Sequence, residues 1–242
     1  PMHPAYNSDW DGDIEKWKAA GRPIIVHKIV KARKIWDRII ESAWTSAEPG
    51  VFFIDRANKQ SNSWYFSQLI CTNPCGEQPL PGWGICNLGA INLGRFATNS
   101  GEVAWDDLRK AIRFSVRFLD NVIDATPYFF DENQRQQQAE RRVGLGIMGL
   151  AELLVRCRVR YGSDESIEFI DKVGQFIATE SYLASSDNAA EKGSFPLLDT
   201  EKLLQSGYMQ GMPEFVREAV RKKGLRNVTL LTQAPTGTVG TM

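Results

Sequence analysis

Histidine is almost missing from this chain, and that scarcity removes a good deal of chemistry. Only His3 and His27 occur in 242 residues, both far in sequence from the cysteines. A thiol or hydroxyl nucleophile activated by a neighbouring imidazole is therefore hard to assemble. No Cys-x-x-Cys pair occurs among Cys71, Cys75, Cys86 and Cys157, so the short ligand spacing of a structural zinc site is lacking and no metal site is expected. Neither charge sign is in excess: Lys+Arg and Asp+Glu are both 29. That balance argues against nucleic acid or an anionic membrane as partner. No apolar run approaches the roughly eighteen residues of a membrane helix, and no signal peptide opens the chain. Four cysteines without a secretion signal fit a reducing compartment, the cytoplasm. In that setting Asn227-Val228-Thr229, a formal glycosylation acceptor, is noise. Pro1 in place of an initiator Met, and an end at Met242 without a polar tail, read as a piece of a longer polypeptide.

What is present is ordinary globular material, with 43% hydrophobic and 24% charged residues, enough to bury a substantial core. The first thirty residues read as irregular, with a strongly polar stretch from Asp9 to Lys18. A helical period covers Ile29 to Trp44, and Val51 to Ile54 reads as a short buried strand. An Asn/Ser/Gln-rich loop follows from Ala57 to Gln68. Leu88 to Leu93 reads as a strand. Asp106-Asp107 opens an amphipathic helix with Leu108, Ile112, Val116, Leu119 and Ile123 on one face, ended by Pro127. Arg141 to Arg158 reads as a glycine-containing helix. Ser163 caps a long helix with Ile167, Ile170, Val173 and Ile177 inward, broken by Gly193 and Pro196. A shorter helix follows Pro213, and Asn227 to Thr232 is the last strand. The alternation implies a single α/β domain over 1–242 with parallel pairing, a section of a barrel. The charged face of the helix from Asp106 to Arg117 reads as solvated surface, and Trp36, Trp44 and Trp105 as packing residues.

The chemistry concentrates in Asn73-Pro74-Cys75-Gly76-Glu77. Three prolines and three glycines between Pro74 and Gly84 argue against regular structure there, and such loops inside compact domains usually carry function. In an extended loop, Asn73, Cys75 and Glu77 would project to one side. A carboxylate beside a thiol raises the thiol pKa, and no histidine stands near in sequence to activate it. The cluster therefore suits a protonated thiol that gives and takes a hydrogen atom better than it suits a nucleophile.

Asn73 to Leu80 (Asn-Pro-Cys-Gly-Glu-Gln-Pro-Leu) and Cys86 to Leu93 (Cys-Asn-Leu-Gly-Ala-Ile-Asn-Leu) together resemble the catalytic large subunit of ribonucleotide reductases. Phe118 to Asp124, Arg141 to Leu150 and Ala234 to Thr238 are further blocks of that family in the same order, so the likeness runs from about Lys31 to Met242. The resemblance implies a ten-stranded α/β barrel with the cysteine on a central finger loop, only partly contained in these residues. It implies that Cys75 carries a transient thiyl radical, Glu77 takes the proton of the ribose 3′ hydroxyl, and Asn73 holds the ribose hydroxyls. Cys86 would be half of a redox pair whose other half lies upstream in the family. No cysteine precedes Cys71 here, and Cys71 itself stands where a non-sulfur residue is usual. The resemblance further implies a ribonucleotide substrate, thioredoxin or a similar dithiol as reductant, and a homodimer. Adenosylcobalamin is the expected radical source, with a separate metal-bearing subunit as the alternative.

Two glycine-rich segments remain. Gly144-Leu145-Gly146-Ile147-Met148-Gly149 spells G-x-G-x-x-G, but a polar stretch precedes it rather than a buried strand, so the glycines read as close packing. Pro235 to Gly240 follows a strand and could cradle a phosphate. With the family likeness, Thr236, Gly237, Thr238 and Val239 become substrate phosphate contacts, although Gly240 replaces a more usual serine. Cys157 reads as a core residue. The competing readings are an inactive nucleotide-binding remnant of the same fold and a nicotinamide-dependent dehydrogenase.

Overall fold

The computed structural model describes residues 14–241. The chain divides into two compact units, Pro1–Phe53 and Ile54–Met242. The first contains helix α1 (Ile14–Ala19) and helix α2 (Ala32–Ser46). Trp17 is buried there and its indole N–H donates to the Pro23 carbonyl at 3.3 Å. The irregular stretch expected over residues 1–30 lies partly outside the described residues, and α1 corrects it from Ile14 onward. Trp36 and Trp44 are exposed, so neither packs within this unit as expected. Residues 51–53 form no strand, and helix α3 (Ile54–Gln60) begins where the strand should end. A continuous apolar run becomes a buried strand only when neighbouring strands accept its hydrogen bonds.

In the second unit, strand β1 (Cys71–Thr72) pairs antiparallel with β2 (Pro79–Leu80). Strand β3 (Leu88–Asn92) runs parallel to β4 (Gly144–Met148), from Leu88 opposite Gly144 to Asn92 opposite Met148. The crossover between them holds helices α4 (Trp105–Ala125) and α5 (Asp131–Glu140). On the other side of β4, the Leu145 N–H donates to the Leu230 carbonyl at 2.7 Å and Thr232 N–H to the Leu145 carbonyl at 3.2 Å. Residues 228–232 thus run alongside β4 as a third parallel segment, and β4 lies between two neighbours. This is an α/β arrangement whose barrel is not closed by these residues.

The strand β4 overturns the expected helix over 141–158, which survives only as α6 (Leu150–Arg156). Gly144 and Gly146 weaken a helix, and here they are required by close approach. A Cβ on Gly146 would lie 3.1 Å from the Thr232 carbonyl oxygen. The glycines are close-packing residues, as expected, but inside a strand. A phosphate-binding turn would need them after it.

Helix α4 buries Leu108, Ile112, Val116, Leu119 and Ile123 as its spacing predicts. It packs against α7 (Asp164–Lys192), which Ser163 caps by accepting from the Ser166 N–H at 3.2 Å. Val173 and Ile177 face inward, but Ile167 is 64% exposed, in its first turn. The face of α4 expected to be solvated is an ion-pair ladder onto α7: Arg109 to Glu180, Arg113 to Asp187 and Arg117 to Glu191. Three arginines four residues apart meet carboxylates on a neighbouring helix that sequence periodicity cannot locate. Helices α8 (Thr200–Leu204), α9 (Gly207–Gln210) and α10 (Glu214–Lys223) follow, then α11 (Thr236–Val239).

Asp120 of α4 has no exposed side-chain surface. Its carboxylate accepts from Arg141 Nε at 2.8 Å, Arg226 Nε at 3.2 Å and Asn227 Nδ2 at 3.0 Å. Arg141 also grips Asp124 at 2.8 Å, whose carboxyl it holds below the usual range by hydrogen bond and charge against the opposing cost of partial burial. Breaking a buried pair leaves an uncompensated charge. Asp120→Ala should therefore lower unfolding stability by about 3–5 kcal/mol in urea titration. Asp107→Ala, which removes an exposed partner of Lys110, should change it by less than about 0.5 kcal/mol.

Candidate active site

The cysteine loop is the tip of the β1–β2 hairpin. Its ends are closed by the Asn73 N–H, which donates to the Gln78 carbonyl at 3.1 Å. Gly76 N–H donates back to the Asn73 carbonyl at 3.0 Å, so Asn73 to Gly76 form a β-turn. Pro74 presets the backbone at the second position, and Gly76 follows at φ +84°, where a side chain would be strained. This corrects the expectation of an extended loop with three side chains on one side. The turn leaves Cys75 exposed at the tip as a free thiol. Asn73 folds inward, its Oδ1 accepting from the Gln78 N–H at 2.9 Å, which leaves its Nδ2 donor for a ligand.

Four anchors hold this finger. On α3, Asn58 clamps the entering arm, its Oδ1 accepting from Leu69 N–H at 2.8 Å and its Nδ2 donating to the Leu69 carbonyl at 2.9 Å. Thr232 Oγ1 donates to the Glu77 carbonyl at 3.0 Å. Gln78 is buried over Gly144, where an added Cβ would meet Leu88 Cδ2 at 2.8 Å and Gln78 Oε1 at 3.0 Å. Arg142 Nη1 approaches the Pro79 carbonyl at 3.5 Å. The polar stretch 57–68, expected as a loop, instead supplies structure. Asn62 is buried and donates to Tyr182 Oη and the Val228 carbonyl, both at 2.9 Å. Neither Asn58 nor Arg142 was visible as a site residue, since an isolated amide or arginine carries no motif.

Glu77 faces inward from the finger. Its Oε2 is buried without a hydrogen-bond partner, and the residue lines a cavity of about 240 Å³ together with Arg142, Gln78, Tyr182, Tyr208 and Asn62. The carboxylate effect reasoned for the loop thiol is felt at Cys86. Burial pushes the Cys86 thiol up, Glu77 and Cys71 push it further, and Arg142 draws it down. Cys71 thus stands close enough to Cys86 to act on it, although its thiol bonds to the Leu80 carbonyl at 3.7 Å within the hairpin. Cys157 is half-buried and packs against the core, and burial alone raises its thiol.

The glycine-rich segment after Thr232 forms α11, with Thr236, Gly237 and Thr238 exposed and Val239 half-buried. Thr236 Oγ1 lies 3.0 Å from Gln233 Nε2. Thr232 bonds the Glu77 carbonyl, so this segment leaves directly from the finger. Among the described residues no group of His, Cys, Asp and Glu is arranged to hold a metal ion, and no helix is long and apolar enough to cross a membrane.

The Glu77 carboxylate opposes ionisation of Cys86, so neutralising it should favour the thiolate. Glu77→Gln should move the midpoint of Cys86 alkylation to lower pH and speed the reaction at neutral pH, followed peptide by peptide by mass spectrometry. An unchanged profile would remove Glu77 from the surroundings of Cys86.

A family model described as the ribonucleotide reductase barrel domain matches residues 5–242. A vitamin B12-dependent ribonucleoside-diphosphate reductase of Thermoplasma acidophilum is 38% identical over 214 residues, covering 88% of this chain and 26% of that protein. Its namesake in Mycobacterium tuberculosis is 36% identical over 208 residues, covering 86% and 28%. A ribonucleoside-diphosphate reductase subunit alpha of Chlamydia pneumoniae is 30% identical over 268 residues, covering 98% and 25%. The chain spans about a quarter of the length of these relatives.

Proposed function

The chain belongs to the ribonucleotide reductase barrel family, and from that premise we propose that it carries the radical-bearing part of an enzyme that reduces ribonucleoside diphosphates to 2′-deoxyribonucleotides. The observation that carries the reading is the finger: a free, exposed thiol at Cys75 two residues from a carboxylate whose inner oxygen has no partner. Hydrogen-atom transfer needs an accessible thiol that keeps its proton, and proton abstraction needs a carboxylate with an unfilled acceptor position.

In this reading Cys75, as a thiyl, takes the hydrogen from ribose C3′, and Glu77 takes the proton of the 3′ hydroxyl. The Asn73 Nδ2 donor holds a ribose hydroxyl. The 2′ hydroxyl leaves as water, while Cys86 and a second thiol give up two electrons and two protons and become a disulfide. Cys75 then returns its hydrogen to C3′ as Glu77 returns the proton to the 3′ oxygen, and a dithiol of the thioredoxin kind reduces the disulfide. The upward displacement of the Cys86 thiol suits this role, because Cys86 must still hold its proton when the hydroxyl departs. Thr236, Gly237, Thr238 and Val239 receive the substrate phosphates. Their support is the direct link of this segment to the finger through Thr232.

Greater identity to relatives named vitamin B12-dependent than to the alpha subunit favours adenosylcobalamin. The residues present fit that group at the point where it would act, since Cys75 stands at the tip of the finger, open to approach from outside. When bound, adenosylcobalamin supplies the radical that draws the hydrogen atom from the Cys75 thiol. The full-length protein with adenosylcobalamin, a ribonucleoside diphosphate and a dithiol should yield deoxynucleotide. Cys75→Ser should abolish product, and Cys86→Ser should stop multiple turnover with dithiol. A fully active Cys75→Ser variant sinks the reading.

A further inference from the structure

Past Thr232 the chain leaves the sheet. Its last ladder bond runs from the Thr232 N–H to the Leu145 carbonyl at 3.2 Å. Pro235 has no N–H to offer, and α11 is a single turn closed on itself. Thr238 and Val239 N–H both donate to the Pro235 carbonyl at 3.1 Å, and Gly240 N–H to that of Thr236 at 2.8 Å. One turn has little stability of its own. Among the described residues, one hydrogen bond joins 233–241 to the rest of the chain: Gln233 Nε2 donates to the Ile147 carbonyl of β4 at 3.3 Å. The same nitrogen reaches the Ala234 carbonyl at 3.3 Å and Thr236 Oγ1 at 3.0 Å. Two N–H groups are thus shared among three acceptors. This fixes the amide with its nitrogen towards them, since its oxygen turned the same way would face two other carbonyls.

We propose that Gln233 is a positioning residue for the substrate phosphate: it ties Thr236 to β4 and sets which way the Thr236 hydroxyl gives its proton. The proposal rests on the reading of Thr236, Gly237, Thr238 and Val239 as phosphate contacts. A threonine hydroxyl has one proton to donate and two lone pairs to accept with. The Gln233 amide fills a lone pair of Thr236 Oγ1, and among the described residues this hydroxyl donates to no acceptor of the chain. Its proton is left for a ligand, and Thr236 is exposed to receive one. An anionic phosphate oxygen is the acceptor that strengthens such a bond most. The amide also occupies the Ile147 and Ala234 carbonyls, neighbouring acceptors that would otherwise compete for the proton. Gly237 and Gly240 bring no side chain, so Thr236 and Thr238 supply the only hydroxyls of residues 235–240. A glutamate at 233 would keep the shape but present only acceptors. It would take the Thr236 proton for itself and set a negative charge beside the phosphate.

The test uses the full-length protein with adenosylcobalamin, a dithiol and a ribonucleoside diphosphate, and separates KM from kcat. Gln233→Leu should raise KM about fivefold, the order of one lost hydrogen bond, with kcat little changed, as loss of uniform binding requires. Gln233→Glu should raise KM further. Gln233 is exposed, so both variants should unfold at the same urea concentration as the parent. Thr236→Val should raise KM by itself, and Gln233→Leu added to it should raise KM no further, because the amide acts through that hydroxyl. Effects that simply multiply in the double variant overturn the inference. So do an unchanged KM in Gln233→Leu, a loss confined to kcat, and a lowered unfolding midpoint, which would mark a merely structural strut. An unchanged KM in Thr236→Val overturns the phosphate reading itself, and the inference with it.

Discussion

The rest of the second unit depends on one buried carboxylate. Asp120 is removed from water and satisfied by Arg141, Arg226 and Asn227, which come from the join between α5 and β4 and from the approach to the third parallel segment. A buried charge tolerates no partial pairing, so these parts of the chain must meet at that point of α4 or forfeit the whole network. Their meeting sets where β4 and residues 228–232 begin, and therefore which residues lie along them. Gly144 and Thr232, the two positions that receive the finger, are placed in this way. Asn227 adds a second lock, accepting from Ser185 Oγ at 2.9 Å while donating to the Arg141 carbonyl at 3.1 Å.

The functional end of the unit applies the same logic with less redundancy. Consecutive residues Arg141 and Arg142 divide the labour: the first closes the Asp120 network, and the second turns to Glu140 and the finger. The hairpin has only two residues in each strand, too few for its own ladder to hold it rigid. Its position comes from outside anchors, the Asn58 clamp, Thr232 Oγ1 and the Arg142 contact. A reactive thiol can thus stand exposed at Cys75 while the carboxylate beside it is held inward.

Much of the helical layer was legible before the structure. Five apolar residues on one face of α4, the Ser163 cap and the glycine stop at Gly193 follow from local physics, and local physics is written in the sequence. The strand β4 was misread because two glycines and a preceding polar segment resemble neither a helix nor a buried strand, and only their neighbours explain them. Val51 to Ile54 failed for the opposite reason, since a run with strong strand composition pairs with no strand among the described residues. The polar stretch 57–68 read as a loop because the burial of Asn62 depends on distant partners, Tyr182 Oη and the Val228 carbonyl.

The sequence by itself determined the chemistry on offer: a loop with thiol, amide and carboxylate at short spacing, a second thiol eleven residues on, no histidine nearby, and blocks that name a family. These are properties of residue type and order, and the backbone carries them wherever it goes. Only the tertiary structure decided which groups feel one another. It turned an extended loop into a β-turn, directed the influence of Glu77 to Cys86, and brought Arg142 to the finger from a point sixty-three residues away along the chain. Electrostatic coupling and burial depend on distance in space, and distance in space is settled only when the strands, helices and the Asp120 network have closed around one another.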